Sequence, residues 1–142
     1  MSGYNYTYRY GNVKRYSKQS NKETPTFAEE VMLLLESNGI TSGQSFETSI
    51  YLGRNIYLKL KKDKNYIPSE NAAYTICIAL KLSLYETMNL LNKAGYSIMP
   101  RGKDDLYREV LIRMILDQFS YIPECNKELK NLGLQELGSI ES

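Results

Sequence analysis

Histidine is absent from the 142 residues, and cysteine occurs only twice, at Cys77 and Cys125. Without histidine there is no Ser-His-Asp or Cys-His nucleophile arrangement and no imidazole for zinc, and two thiolates cannot complete a tetrahedral cage. The two cysteines form no C-x-x-C pair and each falls in a helical pattern, so both are expected to be free thiols inside the fold. Glycine-rich phosphate loops are missing too, since neither G-x-G-x-x-G nor G-x-x-x-x-G-K-[ST] occurs. The neighbouring carboxylates Glu29-Glu30 and Asp104-Asp105 diverge by roughly 100° on a helix and make no acid–base dyad. No apolar run approaches the roughly 18 residues of a membrane span. The opening Met1-Ser-Gly-Tyr-Asn-Tyr lacks the apolar core of a signal peptide. These absences lead to the expectation of a cytoplasmic, non-enzymatic protein without catalytic residues, metal or cofactor.

The formal net charge is only +2, but its distribution is uneven. Residues 1–25 carry Arg9, Lys14, Arg15, Lys18 and Lys22 against Glu23. Residues 54–64 carry Arg54, Lys59, Lys61, Lys62 and Lys64 against Asp63. Local density of cations matters more to a phosphate backbone than the total, although a lysine-rich stretch can equally be a solvated exterior. The first 25 residues also alternate Tyr4, Tyr6, Tyr8 and Tyr10 with polar residues, and read as a basic, flexible, tyrosine-rich arm.

Helix signals begin at Thr26. Thr26-Phe-Ala-Glu29 is a capping box, Phe27, Val31, Leu34 and Leu35 form one apolar face, and Asn38-Gly39 closes the element. Ser42 caps a short second helix with Phe46 and Ile50 on one side, Leu52-Gly53 turns, and a third helix runs from Arg54 to Lys62 with Tyr57 and Leu60 inward. Pro68-Ser69 starts a nearly all-apolar fourth helix through Leu80. Ser83-Leu-Tyr-Glu86 opens a fifth, with Leu84, Met88, Leu91 and Ala94 expected to share its inner face and Gly95 ending it. A long amphipathic helix is expected over Asp104–Phe119 on Leu106, Val110, Leu111 and Met114, and a last one over Pro123–Leu132, stopped by Gly133. Seven helices and no strand predict an all-α chain: an arm (1–25), a helical domain (26–99) and an extension (100–142).

Two short helices joined by about three residues, the second one basic outside, form the arrangement in which the later helix enters the major groove of duplex DNA. Arg54 and Asn55 project from its first turn, where arginine can pair with guanine and asparagine with adenine. Lys59, Lys61, Lys62 and Lys64 are placed to meet phosphates.

From about Phe27 to Tyr96 the chain resembles the lambda-repressor-like (XRE) helix-turn-helix superfamily of bacterial and phage DNA-binding regulators. The stretches that show it are Leu52-Gly-Arg-Asn-Ile-Tyr-Leu-Lys-Leu-Lys61 with Pro68-Ser69, Ile78-Ala-Leu-Lys-Leu-Ser-Leu-Tyr-Glu86, and Leu90-Leu-Asn-Lys-Ala-Gly-Tyr96. The resemblance implies a five-helix lambda-repressor-like helix-turn-helix domain plus two C-terminal helices, acting in transcription regulation on double-stranded DNA. It puts base contacts at Arg54, Asn55, Leu58 and Lys59, and phosphate contacts at Ser42 and Gln44. Three positions depart from its pattern: Glu47-Thr-Ser stands where a small mid-helix residue is usual, Tyr51 where glycine is common, and Leu58 where a polar DNA-facing residue is typical. The C-terminal helices either pack back on their own domain or form a homodimer face, as twofold operators imply.

Two other functions stay open at the level of sequence. Leu58 and the departures in the second helix fit a protein-interaction module, such as an antitoxin or a phage- or defence-associated inhibitor, with a protein partner in place of DNA. The Tyr/Arg arm fits single-stranded nucleic acid, whose bases stack on aromatic rings.

Overall fold

The computed structural model describes residues 24–138, so the arm expected over residues 1–25 falls almost wholly outside the described residues. Among those residues the chain forms seven α-helices and no strand: α1 (Phe27–Ser37), α2 (Gly43–Ile50), α3 (Arg54–Lys62), α4 (Glu70–Ala79), α5 (Leu84–Lys93), α6 (Leu106–Leu116) and α7 (Ile122–Asn131). Most of them start by short-range chemistry. The Thr26 hydroxyl accepts from the Glu29 amide while the Glu29 carboxylate accepts from the Thr26 amide, and Ser83 and Glu86 repeat the exchange. Ser42 does the same with Ser45, and the Ser69 hydroxyl accepts from the Ala72 amide. Each such cap satisfies donors the helix itself leaves open, and is worth about 1 kcal/mol.

The core is built around α4, whose residues from Asn71 to Ile78 are all buried. Helices α2, α5 and α7 pack against it, α1 lies on α3 and α5, and α6 lies on α5. Phe27, Phe46, Leu60, Ile76 and Leu91 share one continuous apolar cluster with Leu111, Leu129 and Leu137. The C-terminal helices therefore pack back on the preceding five. Both cysteines are free and buried, as expected. Burial pushes the Cys77 thiol up to about 12 and the Cys125 thiol up to about 11, and the latter donates to the Phe119 carbonyl.

A polar latch and a clamp join the extension to the domain. Arg108 of α6, only 12% exposed, donates to Glu70 of α4 at 3.0 Å, to Asp105 at 3.1 Å and to the Tyr74 hydroxyl at 2.9 Å. Asn71 of α4 donates to the Glu136 carbonyl and the Tyr107 hydroxyl, and accepts from the Gly138 amide at 2.6 Å. Asn126 of α7 grips Leu137 through both its amide and its carbonyl. The stretch 136–138 is thus held from two helices. Gly138 sits at φ +77°, a conformation that strains any side chain, and a Cβ there would also crowd the Tyr51 carbonyl at 3.1 Å.

Three expectations need correction. The sixth helix spans Leu106–Leu116, not Asp104–Phe119. Asp105 stands outside it as the cap, accepting from the amides of Arg101 and Arg108, and Gln118 at φ +56° ends the run. Leu106 consequently lies exposed at the helix start instead of facing the core. On α5 the inner face is Thr87, Leu90, Leu91 and Ala94, with Met88 turned to solvent. That helix is packed by α1, α4 and α6, and their positions select the neighbouring i, i+3 row for burial. The last helix begins one residue early, at Ile122, with Pro123 in its first turn as expected, and ends at Asn131.

Candidate nucleic-acid interface

Tyr51, Leu52 and Gly53 connect α2 to α3, and each makes a different contribution to the turn. Tyr51 is in the left-handed region at φ +65°, its amide donating to the Glu47 carbonyl to close α2. A tyrosine held there stores strain of order 1 kcal/mol, which its surroundings must offset. The Tyr51 ring meets Tyr121 edge-on at 5.9 Å, and its carbonyl lies against Gly138, so the extension braces this turn. Leu52 is buried beneath it. The apolar joint is completed by Phe46, Ile50, Ile56, Tyr57 and Leu60, with the Phe46 and Tyr57 rings tilted together at 5.5 Å. Deleting Phe46 from such a site costs roughly 3–5 kcal/mol by cavity formation.

With that side buried, the other side of α3 faces out. Arg54, Asn55, Leu58, Lys59, Lys61 and Lys62 are all exposed, as is Lys64 just beyond the helix. None of the four lysines makes an ion pair among the described residues. The Lys59 ammonium lies 5.7 Å from the Tyr66 ring centre and that of Lys61 6.0 Å from Tyr57. Lys59, Lys61 and Lys62 also fall in the last turn of α3, where cations offset the negative end of the helix dipole. Gln44 is exposed near the start of α2. Ser42 is exposed as well, but its hydroxyl serves the cap with Ser45.

Arg54 is in a different situation from the one its sequence position suggests. Its Nε and Nη2 donate to the two carboxylate oxygens of Glu47 at 3.1 and 3.0 Å, and its backbone amide donates to Oε2 at 3.2 Å. The aliphatic stem lies over Gly43, where an added Cβ would come within 3.1 Å of the Arg54 Cβ. Gly43 and Glu47 sit one turn apart on α2, so the arginine lies across that helix. Its side chain is still 56% exposed, and Nη1 and the outer hydrogen of Nη2 are left for another partner. The bonds from Arg54 hold the Glu47 carboxyl below the usual range and keep the guanidinium charged.

The structure adds residues that the sequence reading did not place at this face. Glu47 stands out in the sequence only as a departure from the family pattern, yet it fixes Arg54, and its four-residue spacing from Gly43 is the signal that points to this. Tyr66 had no signal, because its approach to Lys59 depends on the loop after α3, pinned where the Tyr96 hydroxyl donates to the Pro68 carbonyl at 2.7 Å. Thr24–Phe27, Lys64–Ile67 and Lys93 enclose a shallow cavity of about 350 Å³, which sets Thr24 and Pro25 beside Lys64. Among the described residues no cluster of His, Cys, Asp or Glu could hold a metal ion, and no helix is long and apolar enough to cross a membrane. No family model, characterised protein or solved structure matches the chain.

Proposed function

We propose that the protein binds double-stranded DNA and regulates transcription, with α3 entering the major groove and the start of α2 lying along the backbone. The observation that carries this reading is a short helix, braced across a three-residue turn, whose lysines and Asn55 are all exposed. On this reading α1–α5 form the lambda-repressor-like domain that the sequence resembles, and α6 and α7 are its extension. Lys59, Lys61, Lys62 and Lys64 neutralise phosphates, and Asn55 reads a base edge. Arg54 contributes only the donors that Glu47 leaves over. The protein then works as a cytoplasmic, non-catalytic factor without metal or cofactor.

Mobility shifts on random duplexes test it. The wild type is expected to bind at low salt, and changing the four lysines to alanine lowers the slope of log affinity against log salt by about 4. A wild type that shifts no duplex at low salt ends this reading.

One observation favours a protein partner instead: Leu58 is 50% exposed in the middle of the cationic face. Against DNA it meets a thymine methyl, and Leu58→Ala relaxes preference at one base pair. Against a protein it is an anchor, and the same change breaks a stoichiometric complex that survives nuclease and high salt.

A further inference from the structure

The exposed face of α6 is Leu106, Glu109, Arg113 and Leu116. Spacings of three, four and three place them in one stripe along the helix, the pattern of a two-helix seam. Leu106 is 48% and Leu116 62% exposed, and neither Glu109 nor Arg113 makes an ion pair among the described residues. The order apolar, acidic, basic, apolar becomes its own complement when the helix is reversed. An antiparallel second copy would set Leu106 against Leu116 and Glu109 against Arg113, each twice, related by a twofold axis near Leu111. On the two flanks of the same crossing the half-buried Val110 would meet Val110 of the second copy, and Ile112 would meet Ile112.

We propose that the protein forms a twofold dimer in which α6 packs antiparallel on α6 of a second copy. The choice of occupant rests on this charge complementarity: a face whose acid and base exchange places under a twofold rotation fits itself. The stripe is about 15 Å long, less than a stable interface requires, and the adjoining groove of about 480 Å³ extends it with Phe119 and Leu132, both exposed. The two central ion pairs are flanked by leucine pairs that exclude water from them, which makes their sign decisive. Nothing in this inference depends on DNA binding, and its test contains no nucleic acid.

Sedimentation equilibrium of the full chain is the experiment, with helical content by circular dichroism as the control on folding. The wild type is expected to be a dimer. Glu109→Arg or Arg113→Glu alone opposes like charges twice and weakens dimerisation by about 100-fold or more. The double variant Glu109→Arg/Arg113→Glu restores the pairs in reversed order and returns the dimer. A wild type that is monomeric at every concentration overturns the proposal and gives the face to some other molecule. A dimer indifferent to the single reversals, or one not regained in the double variant, overturns it as well.

Discussion

Arg108 and Arg54 carry the same guanidinium in opposite settings. Arg108 is nearly buried, and Glu70 and Tyr74 of α4 surround it together with Asp105, the cap of its own helix. Arg54 is more than half exposed, and both of its charged bonds go to one residue of the adjacent helix. The contrast extends to their surroundings. Around Arg108 burial alone would raise the Glu70 carboxyl, yet the bonds from Tyr74 and Arg108 and the charges of Arg108 and Arg101 take it below its ordinary value. Burial likewise disfavours the charged Arg108, and Glu70, Tyr74 and Asp105 more than reverse that. Around Arg54 the lysines of α3 have no acidic partners among the described residues. A charge withdrawn from water must be partnered for the fold to survive, whereas a charge left in water imposes no such demand. Those lysines are therefore held only by the helix dipole and by the rings of Tyr66 and Tyr57, and their charge stays open to water.

The largest effect that would break this comparison is on the buried side. Arg108→Met removes the bonds to Glu70, Asp105 and Tyr74, leaving Glu70 only Arg101 and Tyr74 as partners, and is expected to lower stability by about 3 kcal/mol in urea denaturation, with affinity for duplex DNA unchanged in the folded fraction. If it left stability intact, the latch would be ornamental. Asn71→Ala comes next. It deprives the Gly138 amide and the Glu136 carbonyl of their partner, for a loss of about 2 kcal/mol, and proteolysis should then remove the C-terminal residues faster than in the wild type.

Acid acts on the same region more gently. The carboxyls of Glu70 and Asp105 lie below their ordinary values, the latter because it accepts from the Arg101 amide and from Arg108. A carboxyl depressed in the folded state adds stability that is complete above its unfolded value of about 4 and is lost as pH falls through the folded value. Melting temperature should therefore fall below about pH 4, and less steeply in Arg108→Met, which has already lost the share that Arg108 contributes. The smallest effect sharpens the exposed side. Glu47→Gln frees Arg54 and removes a negative charge from the cationic face, so the melting temperature should hold while duplex affinity rises severalfold in the mobility shift. Unchanged affinity would place Arg54 away from the nucleic acid.

How much of this could be read in advance varies from residue to residue. Thr26, Ser42, Ser69 and Ser83 were legible as helix starts because each satisfies an amide only three residues away. Gly39, Gly95 and Gly133 were legible as ends, and all three take positive φ. Tyr57 and Leu60 were legible as the inner side of α3 by period alone. Met88 was not. It shares a helical stripe with Leu91, and only the placement of α1, α4 and α6 around α5 decides that Leu90 is buried in its stead. The site divides similarly. The exposure of the lysines followed from the pattern, while the pairing of Arg54 with Glu47 required knowing how α2 and α3 cross.

The sequence by itself determined the helical class, the caps, the breaks and the cationic face of α3, since these depend on interactions within one or two turns of chain. Tertiary structure alone decided what lies between distant residues. It set Asn71 to hold Gly138, Arg108 to join α6 to α4, Tyr121 to brace the left-handed Tyr51, and the stripe from Leu106 to Leu116 to face outward. Those contacts span tens of residues, and which of them form is settled only when the apolar faces of all seven helices are buried together in one core.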